Sequence, residues 1–176
     1  MTKDQFWYLI AASRSDFKAN RRDGNMDLQA RRMEQLLSDL PPAEVMEFER
    51  LFIQFDDDAY RYDLWAAAYI INNGCSDDGF TDFRAWLISM GREVYEAAIS
   101  NPESLANVAG NPGIEVCAFE EFGSIAGEVL IAKEALDGVD LTPRDGSRDP
   151  IGEHWEDNDL PERFPKLWAK FGETDA

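Results

Sequence analysis

The sequence predicts an all-α protein: a single-domain bundle of about six to eight helices with a long irregular C-terminal segment. Three observations carry this. Apolar residues recur at helical spacing through most of the 176 residues. The strict apolar–polar alternation of strands is absent, apart from a weak "VDLTP" at 139–143. Pro, Gly, Asn and Asp punctuate the chain where helices would need to end or turn.

The elements follow in order. Phe6, Leu9 and Ile10 mark a short first helix, with Thr2 or Asp4 as its cap. Asp23-Gly24-Asn25 reads as a turn. The set Met33, Leu36, Leu37, Leu40 (i, i+3, i+4, i+7) predicts a second helix over about 26–40, stopped by Pro41-Pro42. A third starts near Pro42, where proline suits a first turn, and buries Val45, Phe48, Phe52 and Phe55. Asp56-Asp57-Asp58 is a break or a solvated bend. "AYRYDLWAAAYIINN" is apolar nearly all round, which predicts a central, deeply buried helix.

Beyond "GCSDDG", the spacing of Phe80, Phe83, Leu87, Met90, Val94 and Ala98 predicts a helix running through Gly91 to about Ser100. A short helix is expected around 104–109, between Asn101-Pro102 and "GNPG". "EVCAFEEFGSIAGEVLIAKEAL" reads as the last long helix, with Phe122, Ile125, Ala126, Val129, Ala132 and Leu136 inside. Residues 138–163 read as an irregular acidic segment packed on the body. "LPERFPKLWAKFG" closes the chain with a short element.

Charge narrows the function classes. Lys and Arg number 17 against 35 Asp and Glu, a net charge of −18. Residues 1–42 hold seven of those cations and six of the acids, so the excess lies in residues 43–176. Such a body repels phosphate backbones, which argues against general nucleic-acid binding. An acidic surface serves solubility, a basic protein partner (DNA mimicry included) or, more weakly, a divalent cation. Arg14, Lys18, Arg21, Arg22, Arg31 and Arg32 form a local basic patch that suits either intrachain pairing or a head-to-tail contact with an acidic copy. No run approaches the eighteen apolar residues of a membrane span. The N-terminus lacks the pattern of a signal peptide, so cytoplasm is the expected location. Two cysteines, Cys75 and Cys117, suit buried free thiols.

Three segments have words in common with a known family: "FWYLI" at 6–10, "YRYDLWAAAYIINNGCSDDGFTDFRAWLISMGREVYEAA" at 60–98, and "FPKLWAKF" at 164–171. Together they make the chain resemble a bacterial family catalogued as a domain of unknown function, over nearly its whole length. The resemblance implies no activity and brings no catalytic residues with it.

The chemistry-bearing candidates come from the residues themselves. In "GCSDDG", Gly74 suits a positive-φ helix end, and Ser76, Asp77 or Asp78 would cap the next helix. Capping consumes one carboxylate, and the other aspartate then either idles at a helix corner or faces a pocket. Arg61, Tyr62 and Trp65 are the second group, and with Asp77, Asp78, Arg84 and Trp86 they would line an aromatic, charged groove for a peptide or small ligand. Cys75 as a nucleophile needs a base, and the sole histidine, His154, is remote in sequence. "GEHWEDNDLPERFP" offers acids without metal-site spacing, its Trp155 reading as an anchor onto the body. No catalytic residue, metal or cofactor is assigned. The expected function is a non-catalytic acidic interaction module, regulatory or toxin-neutralising, for a basic protein partner. The alternative is a carboxylate-based, metal-assisted hydrolase or ligand binder around Asp77 and Asp78. The oligomeric state is left open.

Overall fold

A computed structural model describes residues 1–135 and 149–172. Among these residues the secondary structure is helical, without a strand. The α-helices are α1 Lys3–Ser13, α2 Asn25–Ser38, α3 Pro42–Asp58, α4 Tyr62–Asn72, α5 Asp77–Ser89, α6 Arg92–Ser100, α7 Glu120–Ala132, α8 Leu160–Arg163 and α9 Pro165–Phe171. Short 3-10 turns cover Pro102–Asn107 and Asp157–Asp159. The weak alternation at 139–143 and the core position of Leu136 lie outside the described residues.

Local chemistry explains most boundaries. Thr2 caps α1 in a capping box with Gln5: Gln5 N donates to Thr2 Oγ1, and Thr2 N donates to Gln5 Oε1. The acidic run Asp56–Asp58 is the last turn of α3, at the negative end of its dipole. The predicted helix through Gly91 is instead two helices. Gly91 sits at φ 97°, outside helical space, so α5 stops and α6 restarts.

The last long helix also begins later than its apolar pattern suggests. Residues 115–119 bond to distant partners instead. Glu115 Oε1 accepts from the N–H groups of Asn25 and Met26 at 2.6 and 3.1 Å, capping α2 from afar. Asn72 Nδ2 donates to Cys117 O, and Phe119 N donates to Asp82 O. Ala132, expected inside, is exposed at the end of α7.

The core sits between α1, α2, α3, α5 and α7, with α7 packed against α2, α3 and α5. One aromatic cluster joins α1, α3 and α6. Phe6 stacks on Phe48 at 4.7 Å, Trp7 meets Phe55 and Tyr95, and Tyr95 Oη donates to Phe55 O at 2.6 Å. Burial of such rings contributes roughly 2–3 kcal/mol each. In α4, Leu64, Ala66, Ala67, Ala68 and Ile70 are buried, while Tyr62, Trp65 and Tyr69 on one stripe are only half-buried. The helix is central on most of its circumference and open along that stripe.

Ile151, His154, Trp155 and Asp157 pack on this open side. Ile151 makes a two-bond bridge to the corner between α3 and α4: Tyr62 N donates to Ile151 O and Ile151 N to Tyr60 O. Glu103 Oε1 caps α9 by accepting from Lys166 N and Leu167 N.

Candidate functional site

The loop between α4 and α5 is a tight corner. Asn73 and Gly74 both take positive φ, 54° and 114°, and Gly74 N closes on Tyr69 O at 2.8 Å. Ser76 then caps α5, its Oγ accepting from Gly79 N at 3.1 Å. The cap is therefore the hydroxyl, not a carboxylate. Asp77 and Asp78 both remain exposed in the first turn, where the helix dipole favours them.

Neither nearby arginine meets them. Arg84 turns inward and is buried, gripping Asp56 through Nε and Nη2. Its guanidinium also lies over the rings of Tyr60 and Phe80, 4.9 and 4.7 Å from their centroids. Its Nη1 is buried with no hydrogen-bond partner among the described residues. Arg61 pairs with Asp63 at 3.2 Å. Trp86 lies elsewhere, bordering a water-sized cavity of about 20 Å³ with Arg14 and Gln29.

What the fold does bring together is aromatic. Tyr62, Trp65 and Tyr69 of α4, with Cys75, His154 and Trp155, line a recess of about 190 Å³. Trp65 is held by a hydrogen bond from its Nε1 to Cys75 O at 3.0 Å and by parallel stacking on Phe80 at 5.0 Å. His154 sits edge-on to Tyr62 at 5.0 Å, and Trp155 packs against Tyr69 at 4.9 Å. Tyr69 Oη donates to Asp157. Of the seven groove residues expected from sequence, only Tyr62 and Trp65 line this recess. Tyr69 shares their stripe of α4 at helical spacing. Trp155 anchors its segment onto the body as its indole suggested, and the Ile151 bridge, which has no local sequence signal, sets where it and His154 land.

His154 and Cys75 thus border one space, but the thiol is not primed. Burial first, then Asp82, pushes the Cys75 thiol up to about 11, with Arg84 opposing. Its Sγ donates weakly to Ser76 O. Cys117, deeper still, is pushed up to about 12 by burial. A thiolate nucleophile needs the opposite environment. Among the described residues, no group of three or more His, Cys, Asp or Glu is placed to hold a metal ion.

A second feature is electrostatic. The starts of α5 and α7 adjoin through the Phe119–Asp82 backbone bond, placing Asp78, Asp82 and Glu120 together. Burial, then Glu120 and Asp78, raise the Asp82 carboxyl above its ordinary value. No helix among the described residues is long and apolar enough to cross a membrane.

An all-α chain with an aromatic recess beside an acidic helix corner is the class that fold and site define. The chain belongs to the family described as protein of unknown function (DUF4240), whose model matches residues 1–130. His154 and Trp155 lie beyond that match. No curated protein and no solved structure matches the chain.

Proposed function

We propose that the chain is a non-catalytic interaction module that captures a basic protein partner, of the regulatory or toxin-neutralising kind. The observation that carries this reading is the acidic edge of Asp77, Asp78, Asp82 and Glu120. These four carboxylates make no ion pair among the described residues, and Asp82 is raised partly by its acidic neighbours. The neighbouring guanidiniums of Arg84 and Arg61 are committed to Asp56 and Asp63. A cation from outside would relieve the repulsion, and its capture would weaken with salt.

The test compares the native chain with a variant carrying Asp77→Asn, Asp78→Asn, Asp82→Asn and Glu120→Gln together. Each is used as bait in extract from the native host, at low and high ionic strength. A basic protein retained by the native chain at low salt, and lost with the variant, is the expected result. Equal retention by both chains would remove the edge from the reading.

A further inference from the structure

The geometry points to the recess between α4 and the 149–157 segment as a binding site for a quaternary ammonium head group. The inference does not depend on the acidic edge.

The walls are the first argument. Tyr62, Trp65, Tyr69 and Trp155 present four aromatic rings to one space, with the imidazole of His154 beside them. Ring faces carry the negative end of the aromatic quadrupole, and several around one cavity form a cage for a desolvated cation. The rings are held in place. Trp65 is fixed by Cys75 O and Phe80, Tyr69 meets Asp157 through its hydroxyl and Trp155 through its ring, and the Tyr62 ring meets His154 edge-on. A fixed cage loses little freedom when it binds.

Size is the second. About 190 Å³ is below the roughly 300–1,000 Å³ of drug-sized pockets. It suits a compact head group with the rest of its molecule outside.

The third argument selects the cation. A primary ammonium brings three N–H donors that need acceptors once water is removed. The side chains lining this recess include no carboxylate or amide, so the acceptors are only the hydroxyls of Tyr62 and Tyr69, the His154 ring and a weak thiol. Trp65 Nε1 is a donor used by Cys75 O, and Tyr69 Oη donates to Asp157. A trimethylammonium group has no N–H to satisfy and packs its methyls on rings. Carboxylates stand at the rim to balance its charge. Asp157 lies on Tyr69, and Glu156 Oε1 lies 3.9 Å from His154 Nδ1. The cations nearby are occupied: Arg163 Nη1 donates to the His154 carbonyl, and Arg61 pairs with Asp63.

Two sources supply this head group, a free choline-like metabolite and a trimethylated lysine on a protein. Titration calorimetry of the full chain with tetramethylammonium, choline and the neutral isostere of choline, carbon replacing nitrogen, tests the chemistry. Choline should bind at least about 10-fold more tightly than its isostere, a difference of about 1.4 kcal/mol. Equal binding of the two, or no binding of either cation, overturns the proposal. A trimethyl-lysine peptide run beside its unmodified counterpart assigns the source: the protein source if the methylated peptide binds more tightly than choline, the metabolite if it does not. Tyr62→Leu leaves its backbone bonds in place and should weaken choline binding at least about 5-fold. The exposed Tyr8→Leu should leave it unchanged. Unchanged affinity in Tyr62→Leu also overturns the site.

Discussion

Arg84 of α5 and Asp56 in the last turn of α3 hold each other by two hydrogen bonds, Nε to Oδ1 at 2.7 Å and Nη2 to Oδ2 at 3.1 Å. The side chains are 6% and 22% exposed, so the pair is largely out of water. It neutralises one of three aspartates at the negative end of α3 and ties that end to α5.

Removing one partner of such a pair strands the other charge. Asp56→Ala should therefore cost about 3 kcal/mol of unfolding free energy. The double variant Asp56→Leu/Arg84→Met strands nothing and should lose less than the sum of its parts by roughly 1–2 kcal/mol. Urea denaturation of the native chain, Asp56→Ala, Asp56→Leu, Arg84→Met and the double variant gives both numbers. A loss under about 0.5 kcal/mol in Asp56→Ala would make the pair equivalent to a surface contact.

At the α4–α5 corner, the hydroxyl of Ser76 and the two carboxylates after it have separate jobs. Ser76→Ala removes the acceptor for Gly79 N and should cost about 1 kcal/mol. Asp77→Asn loses a dipole interaction, about 0.3–1 kcal/mol, and Asp78→Asn loses less because it also relieves the repulsion with Asp82, both effects fading as salt is added. Thermal unfolding at two ionic strengths separates them. A larger, salt-independent loss in Asp78→Asn would transfer the capping role to that carboxylate.

The contrast between these residues shows what the sequence makes legible. Helical stripes such as Val45, Phe48, Phe52 and Phe55 are local, and all four are buried on α3. The corner at Gly74 was equally legible, because a positive φ leaves a residue signature. Gly91 carries the same signature. The apolar spacing running across it hid the break, since two short helices can share one stripe of core positions. Residues 115–119 have an apolar pattern that fits a helix, yet Glu115 is drawn to the start of α2. Long-range choices of that kind depend on three-dimensional neighbours. For the same reason the aromatic residues of α4 could be picked out, but not their meeting with His154 and Trp155, 85 or more residues away. Arg84 read as a groove residue because charge suggests a surface, and its burial depends on Asp56 from another helix.

The thiol of Cys75 offers a chemical check on the recess. Pushed up to about 11 by burial, it is almost wholly protonated at neutral pH. Its alkylation by iodoacetamide at about pH 8 should be slower than that of an ordinary thiol by roughly two orders of magnitude. The rate should climb with pH until about 11. Cys117 should react only on unfolding. Mass-spectrometric labelling times both sites in one experiment. Rapid labelling of Cys75 at neutral pH would mean a thiolate, and would reopen a role for His154 beside it.

Glu49 gives the clearest pH prediction. It lies on α3, one helical turn after Val45 and one before Ile53. It makes no hydrogen bond or ion pair among the described residues, and burial pushes its carboxyl up to about 7 from an ordinary 4.5. Between those values the folded chain holds a proton that the unfolded chain releases. The stability this gives is fully present below about 4.5 and is lost as pH rises through about 7. The loss is at most on the order of 3 kcal/mol. Glu49→Gln keeps the shape and removes the titration. The unfolding free energy of Glu49→Gln minus that of the native chain should therefore grow as pH is raised from about 5 to about 8. Other carboxylates titrate in both chains and cancel in that difference. A difference that stays flat across the range would place the Glu49 carboxylate in water, with its charge already hydrated at neutral pH.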